Sequence, residues 1–203
     1  MLAIIDAAGW PIWPIIAASI VSLGIIGERA WTLRGKMVAP PGLFSETIRD
    51  YRSQGVTPEL LSRLAQGSPL GRIFAAGLRH VRSPREVMRD AIEEAGRAAA
   101  RDLGRFLTTL GTIATMAPLL GLLGTIIGMI EIFGAQSPTG MANPAQLARG
   151  ISVALYNAAF GIIVAVPSLI FHRHFRARAD ELVGDLEQQA VKLVEVVHGD
   201  RSP

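Results

Sequence analysis

Apolar positions in this chain gather into three long runs. One extends from Leu107 to Ile130, flanked by Arg105 and Glu131 with no charge between them. A second extends from Ile151 to Phe171, bounded by Arg149 on one side and His172 and Arg173 on the other. Runs of roughly 20 uncharged, mostly apolar residues are the length a bilayer demands of a helix. The third run begins at Pro11 and ends near Leu33, with Trp10 and Trp13 at one end and Trp31 at the other. From Trp13 to Trp31 a helix rises about 27 Å, close to the thickness of a hydrocarbon core, so the tryptophans fit interfacial anchors. Glu28 and Arg29 then fall at the cytoplasmic boundary, where their heads are expected to reach water.

The polar stretches between the runs also read as helical, so the expected fold is all-α. It has three transmembrane helices, at 11–33, 107–134 and 149–172, with long helices extending into the cytoplasm. Residues 34–106 form a cytoplasmic helical region. It opens with a break at KMVAPPG, after which Leu43, Phe44, Ile48 and Tyr51 recur at helical spacing. Thr57-Pro58, Ser68-Pro69 and Ser83-Pro84 each set a capping oxygen before a proline at the first helical position. Ser83-Pro84-Arg85-Glu86 also satisfies the capping box. No proline follows until Pro118, which predicts one long helix rising into the bilayer, with Gly96, Gly104 and Gly111 as its weak points. In 173–203, Ala179, Leu182, Leu186, Ala190, Leu193 and Val197 mark the apolar stripe of an amphipathic helix and tail.

Charge placement orients the spans. Half of the 203 residues are apolar, and the basic excess is almost wholly arginine. Lys and Arg are absent from 1–28 and 135–148 and crowd into 29–105 and the segment after His172. By the positive-inside rule, 1–10 and 135–148 lie outside and the C-terminus lies in the cytoplasm. Nucleic-acid binding would need basic residues interleaved with exposed aromatics or a recognised motif, and the sequence has neither. Without cysteine there is no disulfide framework. The N-terminus lacks a positive n-region, so the first run is expected to stay as an anchor.

Candidate chemistry is sparse. His172 and His174 are two apart on a helix and diverge, a poor metal pair. P-loop, GxSxG and HExxH motifs are missing, so no catalytic site, cofactor or metal is expected. What the spans do carry is small and hydroxylated residues. Thr108, Thr112 and Thr115 share one face of the second span, and Gly121, Gly124, Thr125 and Gly128 cluster further along. In the third span Gly150, Ala154, Ala158, Gly161 and Ala165 form a narrow seam, with Arg149, Ser152 and Tyr156 opposite and Asn157 between. Small residues mark where spanning helices approach closely. Pro118 and Pro167 free the carbonyls of Ala114 and Ile163, which need another donor from protein or a watery cavity. Asn157 reads equally as an interhelical hydrogen bond or as part of a hydrated pore. The one carboxylate near the outer end of the second span, Glu131, reads as a solvated interface residue. A proton path normally needs a titratable relay. Either there is no such path, or another chain brings the carboxylate.

APLLGLLGTIIGM in the second span and NPAQLARGISVALYNAAFGIIVAVPSLIF in the third resemble the MotA/TolQ/ExbB proton-channel family. ERAWTL and SPLGRIFAAGL look like its ExbB branch in particular. The resemblance covers nearly the whole chain and implies a bacterial inner-membrane protein with a periplasmic N-terminus. It further implies a homo-oligomeric ring of five around a single-span ExbD- or TolR-like partner that carries the proton-binding aspartate. Work would pass through a TonB-like protein to transport across the outer membrane, driven by the protonmotive force. Thr125 occupies the position of the family's channel-lining threonine; Val153 and Ala158 replace a glutamate and a second threonine. The proton-pathway candidates are thus Thr125, Asn157, Ser152, Thr108, Thr112 and Thr115. The packing candidates are Gly121, Gly124, Gly128, Gly150, Ala154, Ala158 and Gly161. A TolQ-like role in envelope maintenance, a flagellar stator, a secondary transporter and a non-conducting scaffold are the alternatives. For a scaffold, Thr125→Val and Asn157→Leu would fold, assemble and leave energised uptake intact.

Overall fold

The computed structural model describes residues 8–134 and 144–199. Most of the expected outer segment 1–10, the loop 135–143 and the last four residues lie outside the described residues. The described chain is all-α: α1 (Ile12–Thr32), α2 (Gly35–Val38), α3 (Leu43–Gln54), α4 (Pro58–Gln66), α5 (Pro69–Arg79), α6 (Arg85–Leu103), α7 (Leu107–Gly134) and α8 (Pro144–Val197). Three stretches, Ile12–Thr32, Arg85–Glu131 and Leu147–Val197, are long and apolar enough to cross a membrane. The helices form two compact units, Met1–Glu28 with Phe106–His174 and Arg29–Arg105 with Phe175–Pro203.

The first unit has a narrow core of Ile12, Ile15, Leu107, Leu110, Ala117 and Val153, all buried. Around it Leu119, Leu122, Ile126, Ile130, Leu155, Ile162, Ile163 and Ile170 are exposed. A contiguous apolar exterior of this extent suits hydrocarbon. Ser22 is buried, and its hydroxyl lies 2.6 Å from that of Ser168, tying α1 to α8. Because Ser168 donates its own proton to the Val164 carbonyl (2.7 Å), Ser22 is the donor of the pair.

In the second unit Leu64, Leu70, Ile73, Phe74, Leu78 and Met88 are buried, as are Leu182, Leu186 and Leu193 from the end of α8. Two threonine or serine caps set helix starts: Leu60 N–H donates to Thr57 Oγ1 and Gly71 N–H to Ser68 Oγ, each at 3.2 Å. Ser83 does not follow this pattern. Pro84 is extended (φ −52°, ψ 148°) and occupies the cap position itself, so α6 begins one residue later, without the expected capping box. The single helix expected from there to Pro118 is interrupted at 104–106. Gly104 N–H closes α6 on the Ala100 carbonyl, and Phe106 turns left-handed at φ +61° before α7 starts. A bulky residue there is strained, which stops α6 and α7 from merging.

Arg29 also departs from expectation. Its head does not reach water; the residue is 4% exposed. The guanidinium donates to the carbonyls of Asp102 (3.1 Å) and Leu103 (3.3 Å), the last residues of α6. A helix end leaves such carbonyls unsatisfied, and a cation complements its dipole. Arg29→Gln is therefore expected to lower stability by about 1.5–3 kcal/mol, the worth of charge-assisted hydrogen bonds. A clear fall in the melting temperature of the detergent-solubilised protein would register it, and an unchanged value would refute the capping role.

Candidate functional site: a glycine-lined helix crossing

Two helices of the first unit, α7 and the spanning part of α8, touch backbone to backbone. A Cβ on Gly161 would stand 2.6 Å from the Ala117 carbonyl oxygen and 3.1 Å from Gly121 Cα. On Gly121 it would meet the Asn157 carbonyl oxygen at 2.8 Å, and on Gly128 the Gly150 carbonyl oxygen at 2.8 Å and the Ala154 nitrogen at 3.1 Å. Gly124 leaves room for Asn157, whose Cβ would lie 2.4 Å from a Cβ there. Contacts that rise along one helix fall along the other, so the crossing is antiparallel. Ala154 is buried and Ala158 half-buried. Both prolines, Pro118 and Pro167, are accommodated inside their helices.

Asn157 is fully buried. Its Nδ2 donates to the carbonyls of Ala8 and Val153, both at 2.8 Å, while its Oδ1 is buried without a partner among the described residues. On the single chain it joins the N-terminal segment to α8 instead of facing an open surface. Asn157→Leu is consequently no clean probe of conduction. It removes the donor to Ala8 against Gly124 and is expected to cost about 1–3 kcal/mol, the price of a buried polar group left unpaired. Thermal unfolding of the detergent-solubilised variant measures this, and wild-type stability would show that the bond contributes nothing.

The hydroxyl candidates lie on the outside. Thr108, Thr112 and Thr115 are exposed, and Thr125 and Ser152 are half-buried. Thr112 donates to the Thr108 carbonyl (3.0 Å), Thr115 to Thr112 (2.9 Å), Thr125 to Leu122 (2.6 Å) and Ser152 to Ala148 (2.9 Å). With each of these protons held by its own helix, the remaining lone pairs are acceptors. Such a surface can receive an O–H or N–H from another molecule. Val153, at the position of the expected family glutamate, is buried, 4% exposed. The spanning runs themselves hold no carboxylate between Leu107 and Ile130 or between Ile151 and Phe171.

Two further polar contacts go beyond what the sequence alone suggests. Ser168 bonds Ser22, and the His172 ring packs on Gly111, whose added Cβ would stand 2.9 Å from His172 Cε1. His172 Nδ1 is buried without a partner among the described residues. Both residues continue the Gly161–Ala165 seam at helical spacing, a signal available in the sequence. Among the described residues no group of three or more His, Cys, Asp or Glu could hold a metal ion.

Residues 65–188 match the MotA/TolQ/ExbB proton channel family. The chain is 34% identical to the putative biopolymer transport protein ExbB-like 3 of Synechocystis sp., over 81% of this chain and 79% of that protein. It is 28% identical to the biopolymer transport protein exbB1 of Vibrio cholerae, over 86% and 78%. It is also 28% identical to the Tol-Pal system protein TolQ of Pseudomonas aeruginosa, over 91% and 84%.

Proposed function

This chain belongs to the MotA/TolQ/ExbB proton channel family, and from that premise we propose that it is the multi-span subunit of a proton-driven motor in the bacterial inner membrane. Its N-terminus is periplasmic and its C-terminus cytoplasmic. Copies assemble as a ring, five being the expected number, around a single-span ExbD- or TolR-like partner. The carrying observation is the pairing of acceptor hydroxyls on the outside of α7 and α8 with the apolar runs 107–130 and 151–171 of those two helices, which hold no acid.

The proposed mechanism divides the labour between chains. The partner's carboxylate binds and releases the proton. While protonated it donates to hydroxyls of this chain, with Thr125 the foremost candidate and Ser152, Thr108, Thr112 and Thr115 along the same route. Losing the proton exchanges a donor for a charge and changes which hydroxyl rotamers are favourable, so the partner shifts relative to the ring. The membrane potential supplies roughly 2.3 kcal/mol per charge per 100 mV, enough over a few protons to move packed helices between registers. The rigid glycine crossing gives that movement a fixed wall to work against. This chain makes and breaks no covalent bond.

An ExbB-like role, delivering work through a TonB-like protein to outer-membrane transport, is the reading favoured by the biopolymer-transport relatives. A TolQ-like role in envelope maintenance is the second reading, favoured by the match to a TolQ protein across most of both chains. Purification of the full chain with candidate single-span neighbours, followed by native mass spectrometry, tests the proposal. A ring of this chain holding an acidic single-span protein is the expected result. A ring that never captures one removes the motor's proton carrier and the proposal with it.

A further inference from the structure

The segment that follows α1 concentrates cations where the apolar helix ends. Arg34 lies over the Trp31 ring, its guanidinium carbon 4.4 Å from the ring centroid. Two residues on, Lys36 is exposed on the short helix α2. Arg178, from the far half of α8 in the same unit, brings its Nη2 to 3.1 Å from where a Cβ on Gly35 would sit. Arg178 also donates to Glu181 at 2.5 Å, which fixes its direction along α8. Neither Arg34 nor Lys36 has a carboxylate partner among the described residues. Arg34 and Lys36 thus flank Gly35 in the chain, and Arg178, paired with Glu181, reaches the same glycine in space.

Apolar surface flanks the same spot. Trp31 is 58% and Met37 53% exposed, although each adjoins a cation in space or sequence. An exposed indole and thioether next to unpaired cations match the interface between acyl chains and headgroups, where aromatic rings and basic residues both gain. The location agrees, because Trp31 stands about 27 Å along α1 from Trp13, one hydrocarbon thickness away. A protein partner would ask for carboxylates in a fixed array, whereas a phosphodiester asks for two or three converging cations and an apolar neighbour.

We propose that Arg34, Lys36 and Arg178, around Gly35 and beside Trp31, form a headgroup site for an acidic phospholipid of the cytoplasmic leaflet. Arg34 and Lys36 supply the free charge, Arg178 is held in place by Glu181, and the narrow backbone at Gly35 lets its guanidinium come close. The site rests on α1 spanning the membrane with its Trp31 end at the cytoplasmic face, the orientation of the proposed function. Its occupancy is measured without a partner or a proton gradient, so its failure and that of the motor are separately readable.

The test uses the full chain in detergent, titrated with phosphatidylglycerol or with phosphatidylcholine of the same acyl chains. Retained lipid is counted by native mass spectrometry. Wild type should prefer phosphatidylglycerol, and the preference should fall about fivefold for each cation removed, about thirtyfold in Arg34→Gln/Lys36→Gln. Arg49→Gln/Arg52→Gln, two exposed charges on α3, should leave it unchanged, and so should the charge-preserving Arg34→Lys/Lys36→Arg. Equal retention by wild type and Arg34→Gln/Lys36→Gln would overturn the proposal. So would displacement of the lipid by glycerol phosphate at matched concentration, which would mark a site for a free phosphate ester. Should the double variant fail to assemble, wild type at rising salt decides: preference lost at constant oligomer size supports the site, and a salt-insensitive preference overturns it.

Discussion

Gly161→Ala should destabilise the protein by about 1–3 kcal/mol, the cost of overpacking a filled interior. The added methyl would fall 2.6 Å from the Ala117 carbonyl oxygen and 3.1 Å from Gly121 Cα. Both obstacles are backbone, so no side-chain rotation relieves them and α7 must move off α8. Moving it also opens the contacts of Gly121, Gly124 and Gly128 with residues 150–158, because these lie along the same antiparallel line. An alanine elsewhere provides the control. Nothing lies within 4 Å of a Cβ on Gly96, in the middle of α6. There the same substitution should stabilise by about 0.5–1 kcal/mol through helix propensity alone. Melting of the two variants in detergent, with oligomer size read alongside, therefore separates a packing effect from a generic glycine effect. If Gly161→Ala melts with wild type, the two backbones are not in contact.

The second large effect is on coupling. Thr125→Val keeps the side chain's shape and removes its hydroxyl. The Leu122 carbonyl that accepts from it at 2.6 Å belongs to the same helix, so the fold loses little. Under the proposed function the variant should assemble normally with its single-span partner and melt close to wild type. Proton flux through the complex should fall about tenfold, equivalent to about 1.4 kcal/mol of lost hydrogen bonding to the partner's acid. Thr125→Ser, which retains the hydroxyl, should restore most of it. A non-conducting scaffold predicts no change in any of these. This comparison is sharper than one at Asn157, where lost structure and lost conduction would be confounded by the bond to Ala8.

What the sequence could and could not say divides along the range of the interaction. The all-α class and the three apolar runs depend on composition over some 20 residues, and local periodicity carries them. Thr57 and Ser68 cap over three residues, and their chemistry is visible in the chain order. Ser83 shows the limit even there, since the extended Pro84 shifts the helix start by one residue. The break before α7 turns on a left-handed Phe106, a conformation that no phenylalanine advertises.

Long-range partners were hidden for a different reason. Arg29 follows an apolar run and reads as a charge leaving the membrane, yet its acceptors at Asp102 and Leu103 lie more than 70 positions away. Asn157 is polar in an apolar run, which flags a partner, but the partner is a backbone carbonyl at Ala8 and carries no side-chain signature. Ser22 and Ser168 are isolated serines until the fold brings their hydroxyls to 2.6 Å. At the hydroxyl face the sequence placed Thr108, Thr112 and Thr115 on one side of a helix. It could not show that the bonds of Thr112 and Thr115 back to their own backbone leave acceptors turned outward.

Whether the acid that moves the proton belongs to a second chain is tested most directly by reconstituting this protein with its single-span partner in liposomes. A membrane potential is imposed, and proton uptake is followed with an internal pH-sensitive dye. Wild-type complex should acidify the lumen, and a complex whose partner carries the amide in place of its membrane carboxylic acid should leave the dye at the rate of empty liposomes. Uptake by the amide complex equal to wild type would contradict the account, because the proton would then cross without the partner's acid.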